Sequence, residues 1–183
     1  YRAVSGIMQE GSLGESEVLK ILEKKLGKDA TYRSGRILSS MCSEPLDVSK
    51  KAYNFALEKN LGDEFLFPAA AALERETVSM LGDLLSNPRA VGHIVSGGTE
   101  ANVTALWVAK HLSRSERREV ILPESAHFSF QRAADILNLK LVKIPITRDY
   151  RIDVTKLKKA VNRKTLALVG VAGTTVLGVV DAI

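Results

Sequence analysis

GHIVSGGTEANVTALWVA, residues Gly92 to Ala109, passes from one periodicity to another within a few positions. The apolar pair Ile94-Val95 reads as a strand, and Ser96-Gly97-Gly98-Thr99 reads as a sharp turn. Ala101, Ala105, Val108, Ala109 and Leu112 then form the buried stripe of a helix. Paired glycines let a backbone turn tightly and approach a ligand closely. The first amides of the following helix have no partner inside it, and its dipole adds partial positive charge at that end. This junction is a phosphate cradle, with Gly97 and Gly98 in the turn and Thr99 adding a hydroxyl.

The alternation continues downstream. Apolar runs of strand length recur at 93–95, 118–122, 140–144 and 166–171, with helical patterns at 99–112, 126–138 and 153–161. Such a pattern predicts an α/β fold, a mostly parallel sheet flanked by helices, with ligands beyond the carboxyl ends of the strands. Upstream, helices are predicted over Glu15 to Lys25, Asp47 to Asn60 with Asp47 as the cap, and Pro68 to about Leu85. The chain therefore reads as an N-terminal helical segment with loops, 1–90, and the first part of an α/β cofactor-binding domain, 91–183.

Composition excludes several function classes. With 183 residues, 45% hydrophobic and 26% charged, the chain can bury a core. No apolar run reaches the roughly 18–20 residues of a membrane span, and the first residues lack a secretory pattern. Its one cysteine, Cys42, reads as a small buried apolar residue, and a single cysteine points to a reducing cytoplasm. The net charge is +5, with 14 Lys and Arg against 7 Asp and Glu from residue 101 onward. Those charges are scattered over helix faces without interleaved aromatics, so nucleic acid is not an expected partner. Three histidines and one cysteine offer no metal-ligand spacing, and neither a P-loop nor a G-x-G-x-x-G phrase occurs.

Three loops are predicted at one edge of the sheet: Ser96 to Asn102, Pro123 to Phe130 with His127, and Gly170 to Thr175 with Thr174 and Thr175. Separately each has an ordinary structural reading as a tight turn, a satisfied histidine or a cap. Together they gather a phosphate cradle, an aromatic ring and two hydroxyls.

HIVSGGTEAN, LPESAHFSF and GVAGTTVLGVVD, in this order and spacing, resemble the group II pyridoxal-phosphate-dependent decarboxylases, specifically their archaeal L-tyrosine/L-aspartate branch. The resemblance runs from about Met8 to Ile183, the N-terminal part of such an enzyme, and implies the large-domain portion of the fold type I transferases. It implies pyridoxal 5′-phosphate as cofactor, with Gly97, Gly98 and Thr99 around the phosphate. His127 inherits the role of stacking on the ring as the catalytic histidine, and Thr174 or Thr175 that of meeting cofactor or substrate. It further implies an amino-acid substrate, a cytoplasmic homodimer, and a share for loops 39–46 and 62–67 in the substrate pocket.

The chain departs from the family in one respect. The HVDAA-like carboxylate and the His-Lys pair that supply the ring-nitrogen partner and the Schiff-base lysine do not occur in it. Asp181 belongs to an earlier phrase, and Lys110-His111 reverses the pair. The expectation is a truncated, inactive chain, with Tyr1 to Ile7 lying outside the family sequence and an apolar sheet edge left exposed. A catalytically empty phosphate-binding or assembly fragment of a split or relic enzyme is the alternative; a related lyase or desulfurase fits the AHFSF phrase less well.

Overall fold

A computed structural model describes residues 11–37, 42–113 and 116–183. Expectations for Tyr1 to Ile7 and for the 39–41 part of loop 39–46 lie outside the described residues. The chain divides into two compact units, one ending at Ala71 and one running from Ala72 to Ile183.

The first unit carries α1 (Glu15–Leu26), a 3-10 turn (Tyr32–Ser34) and α2 (Asp47–Ala56). Helix α1 stops at Gly27, whose N–H bonds Glu23 O at 2.8 Å. Helix α2 is shorter than its periodicity suggests, and Leu46 rather than Asp47 is its cap residue. Asp47 instead stands in the first turn, where Lys50 approaches its carboxylate at 3.1 Å. Cys42 is exposed, not buried.

The helix α3 (Pro68–Leu84) leads to the second unit, which continues with α4 (Gly98–Leu112), β1 (Glu119–Pro123), α5 (Ser129–Leu137), β2 (Lys140–Ile144), α6 (Val154–Ala160) and β3 (Thr165–Leu168). The strands form one parallel sheet in the order β2-β1-β3. The centre strand, β1, is buried at all five positions, as a parallel strand covered on both faces must be.

Alternate residues of β1 serve opposite faces. Val120 joins Leu106 of α4 and Ala133 and Leu137 of α5 in one core cluster. Ile121 joins Ile144 and Ile152 in the other, with Val154 and Leu157 at the start of α6. Helices thus cover both sides of the sheet, and the loops after β1 and β3 leave neighbouring strands at the same edge.

Two predicted elements differ. The run 93–95 forms no strand, because the Ile94 N–H donates to Glu74 Oε1 at 2.8 Å instead of to a ladder. Three strands, not four, are therefore found among the described residues. Helix α5 begins at Ser129 rather than near 126. The preceding residues make a tight turn in which Ala126 N–H meets Pro123 O at 3.0 Å.

Candidate functional site

Helix α4 begins directly after Gly97, and its first intrahelical bond runs from Ala101 N–H to Gly97 O at 3.0 Å. The amides of Gly98, Thr99 and Glu100 precede that bond and project from the helix end. A Cβ placed on Gly97 or Gly98 would meet no atom within 4 Å, so open space lies over both glycines. Thr99 is half-buried. Glu100 folds back on the turn: its carboxylate accepts the Ser96 N–H at 2.9 Å and the Ser96 hydroxyl. Those two donors, the hydroxyl first, hold the Glu100 carboxyl below its ordinary value.

The loop after β1 is tied to β2. Glu124 N–H donates to Ile144 O at 2.9 Å, and Glu124 Oε1 accepts the Ile146 N–H at 3.2 Å. His127 is half-buried, with Phe128 tilted against it at 4.0 Å between ring centroids. Its Nδ1 accepts the Ser129 N–H at 3.2 Å. Ser129 itself is fully buried.

The cradle helix and the histidine loop meet through side chains. Asn102 Nδ2 donates to Ser129 Oγ at 2.8 Å, and further along Lys110 Nζ donates to Leu137 O at 2.8 Å. Both bonds join residues 27 apart, so α4 and α5 run parallel and in register. Their N-termini, and the positive ends of their dipoles, therefore lie at the same end of the pair. Asn102 and Ser129 have no role assigned in the sequence reading. The signal available was one amide set among Ala101, Val103 and Ala105 on an otherwise apolar stripe.

The third loop is a hairpin. Ala172 and Val180 pair across it, Asp181 N–H meets Val171 O at 2.9 Å, and Thr174 N–H meets Val179 O at 2.9 Å. Gly173 and Gly178 turn it with φ of +107° and +64°, which L side chains rarely adopt. The two threonines separate here. Thr174 is 6% exposed, and its hydroxyl oxygen accepts the Val179 N–H at 3.1 Å. Thr175 is exposed. Asp181 is buried and accepts backbone N–H groups from Ile152 and Val171, so it serves the loop rather than a ligand.

The residues fit a phosphorylated aromatic cofactor on two observations besides sequence. The space over Gly97 and Gly98 is open. Ser125 Oγ, two residues before His127, is buried without a hydrogen-bond partner, which costs about 1–3 kcal/mol unless a ligand atom meets it. In the first unit, Arg33 Nε grips Glu44 at 2.7 Å and 3.0 Å, and Lys50 reaches the same carboxylate at 3.8 Å. In loop 62–67, Asp63 accepts the N–H groups of Phe65 and Leu66, and the Phe65 side chain stands fully in solvent. Among the described residues no group of His, Cys, Asp and Glu is arranged to hold a metal ion, and no helix is long and apolar enough to cross a membrane.

Comparison with known proteins identifies the family. Residues 68–180 match the DegT/DnrJ/EryC1/StrS aminotransferase family. The chain is 49% identical over 153 residues to a probable L-tyrosine/L-aspartate decarboxylase of Methanothermobacter thermautotrophicus, covering 84% of this chain and 42% of the relative. It is 45% identical over 174 residues to a probable L-aspartate decarboxylase of Pyrococcus abyssi, covering 95% of this chain and 45% of the relative. The chain thus spans less than half the length of these curated relatives. Among solved structures, the glutamate decarboxylase of Lactobacillus brevis matches 99% of this chain and 44% of its own length, with TM-score 0.80 at 18% identity. That likeness shows the fold alone: a small parallel sheet flanked by helices, as in the matching part of that decarboxylase.

Proposed function

The chain belongs to the DegT/DnrJ/EryC1/StrS aminotransferase family, and we propose that it forms the phosphate-holding and ring-stacking part of a pyridoxal-phosphate-dependent amino-acid decarboxylase acting on L-aspartate or L-tyrosine. The observation that carries this reading is the Asn102–Ser129 bond of 2.8 Å, which ties the Gly97-Gly98-Thr99 turn to the His127 loop. The substrate classes come from the names of the relatives. Homodimer formation and a cytoplasmic setting belong to the same reading and rest on the sequence resemblance.

When bound, the cofactor supplies an electron sink, its protonated pyridine ring, for the charge left by loss of carbon dioxide. This chain's own residues do the rest. The amides of Gly98, Thr99 and Glu100 would hold the phosphate in the positive field of α4, and the Thr99 hydroxyl would add a donor. Amides carry no rotamer freedom, so the phosphate is fixed without a mobile side chain. The His127 imidazole would stack on the ring and fix its plane. Of the two threonines, Thr175 is the one proposed to meet cofactor or substrate carboxylate, since the Thr174 oxygen already serves Val179. Lys110 is engaged with Leu137 O, Lys140 with Glu119 and Lys156 with Asp153, so none of these three is assigned a covalent role.

Equilibrium dialysis tests the reading. The chain should retain pyridoxal 5′-phosphate in preference to pyridoxal, and inorganic phosphate should compete. Borohydride treatment should leave no single lysine modified. Equal retention of pyridoxal and its phosphate would overturn the phosphate role, and one uniquely trapped lysine would overturn non-covalent retention.

A further inference from the structure

A histidine that stacks on a ring must have both its plane and its proton placed, and the structure shows what sets them. The Ser129 N–H points at His127 Nδ1 across 3.2 Å. A backbone N–H can only donate, so Nδ1 must accept, and in the neutral imidazole the ring proton then sits on Nε2. The position of that N–H depends on Ser129, whose side chain has no solvent to fall back on. Its hydroxyl oxygen is fixed by Asn102 Nδ2 at 2.8 Å, from the second turn of the cradle helix.

We propose that Asn102 and Ser129 are positioning residues that lock His127 in its Nε2–H tautomer and hold its ring in register with the Gly97-Gly98-Thr99 turn. Asn102 reaches into α5 while its own helix begins with the cradle, so one amide would set how far the cradle stands from the imidazole. The bonds each makes lead to the imidazole, and each is assigned its effect through that ring. The tautomer part stands on hydrogen bonds alone, and the registering part rests on the function proposed above.

The test is nitrogen-15 NMR of the His127 ring in the 183-residue chain, at alkaline pH. The native chain should show an unprotonated Nδ1 and a protonated Nε2. Asn102→Ala and Ser129→Ala should each mix the tautomers, and the double variant should look like either single one, because all three lack the same bond. Asn102→Asp should restore one tautomer, since its carboxylate can accept from the Ser129 hydroxyl. Retention of pyridoxal 5′-phosphate should fall about fivefold in Asn102→Ala, the loss of one neutral hydrogen bond. A folded Asn102→Ala chain with the native tautomer pattern overturns the proposal, and so does a native chain with Nδ1 protonated. Lack of cofactor retention by the native chain would sink the registering part and the proposed function together, while the tautomer comparison still decides what Asn102 does to His127.

Discussion

Asp181 Oδ1 accepts the backbone N–H of Ile152 at 2.8 Å, across 29 residues of sequence. Its other oxygen accepts the Val171 N–H at 3.0 Å. One buried carboxylate thereby fastens the base of the threonine hairpin to the segment that enters α6. Replacing it with alanine strands two backbone donors away from water. Asp181→Ala should cost about 3 kcal/mol, which for a chain of this length is a fall in melting temperature of roughly 10 °C. Asp181→Asn, which keeps one acceptor oxygen, should fall between. A melting curve for Asp181→Ala that overlays the native one would deny the staple.

The two threonines of the hairpin should respond oppositely. Thr174→Val removes the oxygen that accepts the Val179 N–H and should lower stability by about 1 kcal/mol. Thr175→Val, at an exposed position, should leave stability within about 0.5 kcal/mol of the native chain while weakening retention of pyridoxal 5′-phosphate. Thermal melts beside equilibrium dialysis separate the two effects. Weaker retention on changing Thr174 alone would reverse their roles.

Gly82 lies inside α3, where alanine ordinarily stabilises a helix. Here a Cβ would stand 2.6 Å from both Ala90 Cβ and Asn87 O, because the chain folds back on the helix end. Asn87 N–H bonds Gly82 O at 2.8 Å within that return. Gly82→Ala should therefore destabilise by about 1–3 kcal/mol. Urea titration reads the sign directly, and a raised midpoint contradicts the close approach.

Acid should loosen the start of α4 and the base of the sheet. The Ser96 hydroxyl and N–H hold the Glu100 carboxyl below its ordinary value of 4.5. Asn162 and then Lys140 do the same for Glu119. A carboxyl lowered in the folded state stabilises fully above its unfolded value, and that contribution is lost as pH falls through the folded one. Stability should thus drop as the solution is acidified below about pH 4.5, and Glu100→Gln with Glu119→Gln should flatten that limb. Amide exchange at Ser96 and Ile121 across the range follows each site separately. An acid limb unchanged by both substitutions would show the stabilisation lies elsewhere.

Much of the α/β unit was legible because its signals are local. The Val120–Leu122 run and the helical stripe after Gly98 each follow from residues within one or two turns of chain. The boundaries that moved did so through hydrogen bonds that leave no periodic trace, one long-range and one local. Ile94 looks like a strand residue, yet Glu74, on a helix 20 residues earlier, takes its N–H. The onset of α5 shifted because the tight turn at Ala126 displaced the helical pattern. In the candidate site, glycines, hydroxyls and the histidine stand out by residue type. Asn102 and Ser129 do not, since a side-chain bond spanning 27 residues leaves no periodic trace. Thr174 and Thr175 are adjacent and chemically identical, so only the fold of the hairpin tells them apart.

The pairing of α4 with α5 has a kinetic consequence. Both side-chain bonds between them close loops of 27 residues, with β1 threaded inside that span. The entropy of closing a loop grows with its length, so short loops close ahead of the 43-residue reach from Glu119 to Asn162. During collapse the chain should thus assemble α4, β1, α5 and β2 first, since β1 meets β2 across only 21 residues, and add β3 to them afterwards. The part proposed to hold the cofactor phosphate is also the part that seeds the sheet.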